Sequence, residues 1–253
     1  MIDWTPYLES VCKKYAQWWD VYTLTDVEGK TRLPKTAPLL TDLWVQSIER
    51  EREKPGEREE KKEKIERFTV LEGLRKYAIN HVLLSGRPGS GKSTALARLL
   101  LEEAVKLDFP ILDTNEQSNS PFSKGGRGGS IPILIELRYY QTSILDLILK
   151  FLQRHELIID SNTLENLLLG HNNFTPLLLF DGINEVPSEA ARRDLQQFRQ
   201  KYQKIPMIFT TRDIGIGGDL NIEKKLEMLA LNESQMRDFV KAYLPEKGEK
   251  MLK

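Results

Sequence analysis

The sequence has a single cysteine, Cys12, and only three histidines, His81, His155 and His171. One cysteine excludes an internal disulfide, and histidines without ligand spacing or nearby thiols give no basis for zinc chemistry. A reducing compartment follows as the expectation, and the cytoplasm is the expected location. An excess of either charge is also missing, since 37 Lys and Arg balance 37 Asp and Glu. Such a balance supplies no field to draw in a polyanion, so nucleic acid is not an expected partner. No apolar run nears the roughly 18 residues needed to cross a bilayer. The amino terminus, MIDWTPYLESVCKKYAQWW, lacks the basic start, apolar centre and cleavage site of a secretory signal. No membrane partner is expected.

A chain of 253 residues can bury one substantial core with an appended segment. Trp4, Leu8, Val11, Tyr15, Trp18 and Tyr22 recur at helical spacing, with Tyr7, Cys12 and Trp19 widening the stripe. Core packing is the first reading of this aromatic helix, and a face for a protein partner is the second. Residues 49–67 are almost all charged, with signs interleaved and a Pro55-Gly56 break, as in a solvated linker. The helical pattern VLEGLRKYAIN follows. Strand candidates then cover 81–86, 131–138, 176–181, 206–212 and 226–231, separated by helical stretches such as STALARLLLEEAVK and SEAARRDLQQFRQKY. Apolar strands alternating with helices predict a doubly wound α/β fold with a mainly parallel, five-stranded sheet and an N-terminal helical extension. The expected division is an N-terminal helical segment (1–48), a charged linker (49–67), an α/β domain (68–231) and the start of a helical domain (232–253). Asn232 and Gln235 form a capping-box pattern, with Leu231 and Met236 as the staple. Residues 113–130, rich in Ser, Asn and Gly, read as a surface insertion; its Lys124 and Arg127 are within the chemistry of a phosphate contact but a plain loop is the simpler reading.

The stretch GRPGSGKS, residues 86–93, matches G-x-x-x-x-G-K-[ST] between a predicted strand and a predicted helix. A chance match in a chain of this length is on the order of one in a hundred. Gly86, Gly89 and Gly91 let the backbone turn tightly and aim N–H groups at phosphate oxygens, and the following helix adds its positive end. Candidate nucleotide-binding residues are Gly86, Arg87, Pro88, Gly89, Ser90, Gly91, Lys92, Ser93 and Thr94. Lys92 is expected to reach the β- and γ-phosphates, and the Ser93 hydroxyl to ligate Mg²⁺.

A second motif, LLLFDGINEVP, ends an apolar run in a carboxylate, Asp181. Burying that charge is costly unless something compensates it, and Mg²⁺ beside a phosphate loop would do so. Asp181 is therefore the second candidate metal ligand. Glu185, four residues on, is the candidate to polarise a water for attack on the γ-phosphate. The third motif, IFTTRD, carries Arg212 to the same sheet edge, where a guanidinium suits a γ-phosphate. A local ion pair between Arg212 and Asp213 is the alternative, and both stand open. Glu185, Lys92 and Arg212 are the candidate catalytic residues.

With GRPGSGKST, LLLFDGINE and IFTTRD in that order, the chain resembles NACHT-family P-loop NTPases, within the signal-transducing ATPases with numerous domains, of bacterial and especially cyanobacterial type. The resemblance covers roughly residues 70–245, and its most specific part is the D-G-x-D-E pattern, matched by Gly182 and Glu185 but not by Asn184. It implies ATP or ADP with Mg²⁺ as cofactors, a slowly hydrolysing switch in bacterial signalling or defence, and a nucleotide-dependent homo-oligomer. It also implies that the Arg212 strand lies between the P-loop strand and the Asp181 strand, and, with adjacency, that the base sits near Phe68 to Leu71. Family members continue into helical and winged-helix domains and a sensor array; this chain is expected to stop where the first of these would begin, as a fragment or a minimal member.

Three functions compete: an ATP-hydrolysing switch, an interaction module stabilised by nucleotide, and an AAA-type nucleic-acid loader. Asn184 motivates the second, and the lack of a basic track disfavours the third. No N-K-x-D motif is present to read guanine.

Overall fold

A computed structural model describes residues 2–21, 43–48, 65–108, 130–170, 174–212 and 220–237. In chain order its elements are α1 (Thr5–Val21), β1 (Trp44–Ile48), β2 (Ile65–Thr69), α2 (Val70–Tyr77), β3 (Val82–Ser85), α3 (Lys92–Asp108) and β4 (Ser130–Glu136). These are followed by α4 (Ile144–Arg154), α5 (Ser161–Leu168), β5 (Thr175–Asp181), α6 (Glu189–Lys201), β6 (Met207–Thr211) and β7 (Lys224–Met228). Ser143, Asp160 and Ser188 cap α4, α5 and α6, each side chain accepting an N–H of the first turn.

All the strands join one sheet, ordered β2-β1-β7-β3-β6-β5-β4. The five strands from β7 to β4 run parallel, and β1 is antiparallel to both its neighbours. Every residue of β3 and β6 is buried, so both faces of the sheet centre are covered; each strand is apolar until its carboxyl end, where Ser85, Thr210 and Thr211 are polar. β6 lies between β3 and β5. That order brings the ends of the P-loop strand, the Arg212 strand and the Asp181 strand together at one rim.

Among the described residues the sheet has seven strands rather than the expected five. β1 falls in the stretch read as helical and β2 at the end of the charged linker. Both are five residues long and only half apolar, so neither produces the continuous run that marks a buried strand. Pairing reveals what composition hides: Val45 and Ser47 are buried, while Gln46 donates to Glu227 across the β1–β7 pair at 3.0 Å. Helix α2 seals this extension. A Cβ on Gly73 would come within 2.9 Å of Val45 Cγ2 and 3.1 Å of Leu226 Cδ1, so the absent side chain permits the close approach. The strand expected at 226–231 is shifted to Lys224–Met228, where the alternating buried positions Leu226 and Met228 set the register. The strand expected at 131–138 stops at Glu136 and continues as a 3-10 turn, Leu137–Tyr139.

Helix α1 packs on α3, and Trp4, Tyr7, Leu8 and Val11 are part of the main core. The Tyr7 hydroxyl donates to the Pro132 carbonyl at 2.5 Å, and its ring meets Phe151 and His155 edge-on. This half of the aromatic stripe thus packs into the core, as its first reading expected, and presents no face of these residues to a partner; the side chains of Trp18, Trp19 and Tyr22 lie outside the described residues. So do most of the charged linker, Lys124 and Arg127 of the insertion, His171 and Asp213. At the other end, Asn232 and Gln235 form the reciprocal capping box, at 2.9 and 2.8 Å, and a helical turn follows at 233–237. Among the described residues no helix is long and apolar enough to cross a membrane.

Candidate functional site

The loop 86–91 leaves β3 at Ser85 and enters α3 at Lys92. Gly89 and Gly91 have φ of +76° and +90°, left-handed values that other residues adopt only under strain. Gly86 is required for a different reason: a Cβ there would lie 2.8 Å from both Met228 Cβ and Ser90 Oγ. In front of Gly89 a Cβ would meet nothing within 4 Å, so the loop's crest is open to a ligand. Arg87 and Pro88 are exposed beside it, and Ser90 N–H closes the turn onto the Arg87 carbonyl at 3.1 Å. Ser93, exposed, and Thr94, half-buried, sit in the first turn of α3, whose N–H groups have no earlier helical carbonyls to bond.

Lys92 is buried, and its Nζ donates to the carbonyls of Gly86 (2.7 Å) and Arg87 (3.0 Å) and approaches Ser90 Oγ at 3.3 Å. The ammonium therefore folds back into the loop that precedes it. Burial lowers its pKa, the positive charge of Arg212 lowers it further, and Asp181 and Glu185 pull it back up. Groups from the other two motifs thus act electrostatically on Lys92 at one rim of the sheet.

The other side of the rim is built by β5 and β6. Asp181 ends β5, and its Oδ1 accepts from Thr210 Oγ1 at 2.5 Å; the same Thr210 oxygen accepts the Gly182 N–H at 2.8 Å. Gly182 then turns through φ +81° into a 3-10 turn, Ile183–Glu185, and a Cβ on it would lie 3.3 Å from the Glu185 carboxylate. Arg212, just past β6, donates through Nη2 to Glu185 Oε1 at 2.7 Å and through its main-chain N–H to Asn184 Oδ1 at 3.1 Å. Glu136 pairs in register with Asp181 and accepts from Arg138.

Among the described residues no three His, Cys, Asp or Glu side chains converge as a metal cage. Mg²⁺ commonly uses one or two protein oxygens and fills its shell with phosphate and water, so a hydroxyl and a single carboxylate, as in Ser93 and Asp181, suit that ion. Of the segment expected near the base, Val70 and Leu71 are buried, and Phe68 packs edge-on against Tyr77 with Lys76 over its ring. Phe68 therefore has an internal role. Two contacts escaped the sequence: Thr210 behind Asp181, and Asn184 under Arg212. The polar ending of IFTTR is the only signal for the first, and although Asn184 stands out as a departure from the family pattern, nothing in the sequence ties it to Arg212.

His81 and His155, for which no chemistry is expected, are buried. Arg199 Nε donates to His81 Nδ1 at 3.0 Å, so that nitrogen is unprotonated and Nε2 donates to the Ile205 carbonyl at 3.0 Å.

No family profile matches this sequence. No curated protein is similar to it in sequence. Among solved structures, PCH-2 of C. elegans aligns with a TM-score of 0.40 and 14% identity, over 72% of this chain and 47% of that one. The chain thus spans less than half the length of that structure.

Proposed function

We propose that the chain binds a nucleoside triphosphate with Mg²⁺ and hydrolyses it slowly, as a switch of the NACHT type that uses ATP. The observation that carries this reading is the buried Lys92, seated in an open glycine loop between β3 and α3 and coupled electrostatically to Asp181, Glu185 and Arg212. In it the loop N–H groups and the α3 terminus hold the phosphates, and Lys92 exchanges its loop carbonyls for phosphate oxygens. Ser93 and Asp181 would hold the cation, which when bound neutralises charge on the phosphates. Glu185 orients and deprotonates the attacking water, and Arg212 neutralises the γ-phosphate. Calorimetry of the purified chain with ATP, ADP and GTP, with and without Mg²⁺, tests the reading. Binding that Lys92→Ala abolishes is the expected result, and unchanged affinity in that variant overturns it.

One observation favours the second reading, an interaction module that nucleotide merely stabilises. Glu185 is already engaged by Arg212, and Asn184 stands where the family pattern has a second acid. Single-turnover phosphate release separates the two: a rate at the uncatalysed level selects the module.

A further inference from the structure

The Thr210 side chain is almost wholly buried, at 1% exposure, and a single oxygen atom of it serves both halves of the Asp181 motif. The Gly182 N–H can only donate, so Thr210 Oγ1 accepts there, at 2.8 Å. An ionised carboxylate can only accept, so the hydroxyl proton points at Asp181 Oδ1, 2.5 Å away. Neither bond can reverse, and the hydroxyl has no alternative rotor position that keeps both. The arrangement fixes the carboxylate through Oδ1 and leaves Oδ2 as the oxygen for a cation. It also satisfies the buried N–H at the point where the chain leaves β5 and turns toward Glu185.

We propose that Thr210 is a positioning residue that holds Asp181 in the orientation needed to bind the divalent cation, and so sets how strongly Mg²⁺ enhances nucleotide binding. This inference rests on the nucleotide-binding reading above. Groups that orient a metal-ligating carboxylate in this way change metal affinity by about 10–100-fold when removed. Thr210 touches neither the loop nor Lys92 through any hydrogen bond, so binding that depends on the loop alone should not register its loss.

The test measures ATP affinity of the full chain in EDTA and at saturating Mg²⁺, and takes the ratio. Thr210→Val, which keeps the shape and removes the hydroxyl, is expected to lower the ratio about tenfold or more while leaving affinity in EDTA unchanged. Thr210→Ser restores the wild-type ratio. Should the valine variant not fold, Thr210→Cys, with a weaker donor, is read in its place and shows a smaller loss of the same ratio. A wild-type ratio in the valine or cysteine variant overturns the inference alone. So does a serine variant as impaired as valine, which would assign the effect to methyl packing. Absence of ATP binding by the wild-type chain in both conditions overturns this inference together with the function it rests on.

Discussion

Arg212, just past the end of β6, and Glu185, in the 3-10 turn that follows β5, form an ion pair of 2.7 Å between Nη2 and Oε1. In the proposed mechanism these are the group that meets the γ-phosphate and the group that activates water, and here each neutralises the other. Their side chains are 55% and 30% exposed, so the pair belongs to the surface class that contributes at most about 1 kcal/mol. A triphosphate carries enough charge to compete for the guanidinium. Ligand binding would then release the carboxylate, linking occupancy of the loop to readiness of the base.

This relationship makes ATP and ADP distinguishable through Arg212. Arg212→Ala should weaken ATP about tenfold, an effect of about 1.4 kcal/mol typical of a charge-assisted contact, and leave ADP nearly unchanged. Glu185→Gln should bind ADP as the parent does and ATP no more weakly, since the triphosphate no longer competes with a carboxylate for Arg212, and lose about a hundredfold or more in turnover. Calorimetry and single-turnover phosphate release check the two variants. Parental hydrolysis by Glu185→Gln would assign water activation to another group.

Gly182 explains why a side chain is not tolerated after Asp181. Its φ of +81° costs about 1–2 kcal/mol for another L-residue, and an added Cβ would press on the Glu185 carboxylate at 3.3 Å. Gly182→Ala should therefore be modestly destabilised, with a melting temperature lowered by a few degrees. Turnover should fall far more than stability, because Glu185 must shift. Nucleotide affinity, which depends on the loop of 86–91, should stay within about twofold of the parent.

The parts of this rim that could be read from the sequence are those with strong local signals. Glycines at 89 and 91 answer a backbone need and Gly86 a steric one, and the apolar run into Asp181 marks a buried strand ending in a charge. Thr210 was unreadable in this sense, because its importance comes from β6 lying beside β5, 29 residues away from Asp181 in sequence. The same holds for β1 and β2, which are strands because of their partners. WVQSI and IERFT have too few apolar residues to declare themselves, and only their antiparallel pairing secures them. Helix α1 presents the opposite case: its spacing was plain, but whether the stripe met a core or a partner required knowing that Pro132 and His155 lie beneath Tyr7.

Tyr7 gives a direct measure of that docking. It is fully buried, and its hydroxyl bonds to the Pro132 carbonyl of β4, so Tyr7→Phe leaves that acceptor without this donor. A loss of about 1–3 kcal/mol is expected in urea unfolding, with little change in the slope of the transition because the aromatic area remains buried. The loss should be the same at pH 7 and pH 9, since burial holds the Tyr7 hydroxyl well above its usual ionisation range. No change in midpoint would mean that the α1 contact contributes nothing measurable through this bond.

His155, beneath the same helix, makes stability depend on pH in a defined direction. It is 1% exposed, packed by Phe151, Tyr7 and Tyr15, with Ser10 Oγ 3.3 Å from Nδ1. Burial pushes its pKa down to about 4, and the nearby charges of Lys14 and Arg154 push the same way. An unfolded histidine titrates near about 6.5, so between these values the unfolded chain binds a proton that the folded chain refuses. The contribution is full above about pH 6.5 and is lost progressively as pH falls to about 4, up to about 3 kcal/mol in all. Urea midpoints measured from pH 7.5 to 4.5 should fall, and His155→Gln, which cannot titrate, should flatten the decline. A residual slope is expected from His81, whose pKa is also lowered, first by burial and then by Arg199. An identical decline in the parent and in His155→Gln would show that this imidazole is not the group responsible.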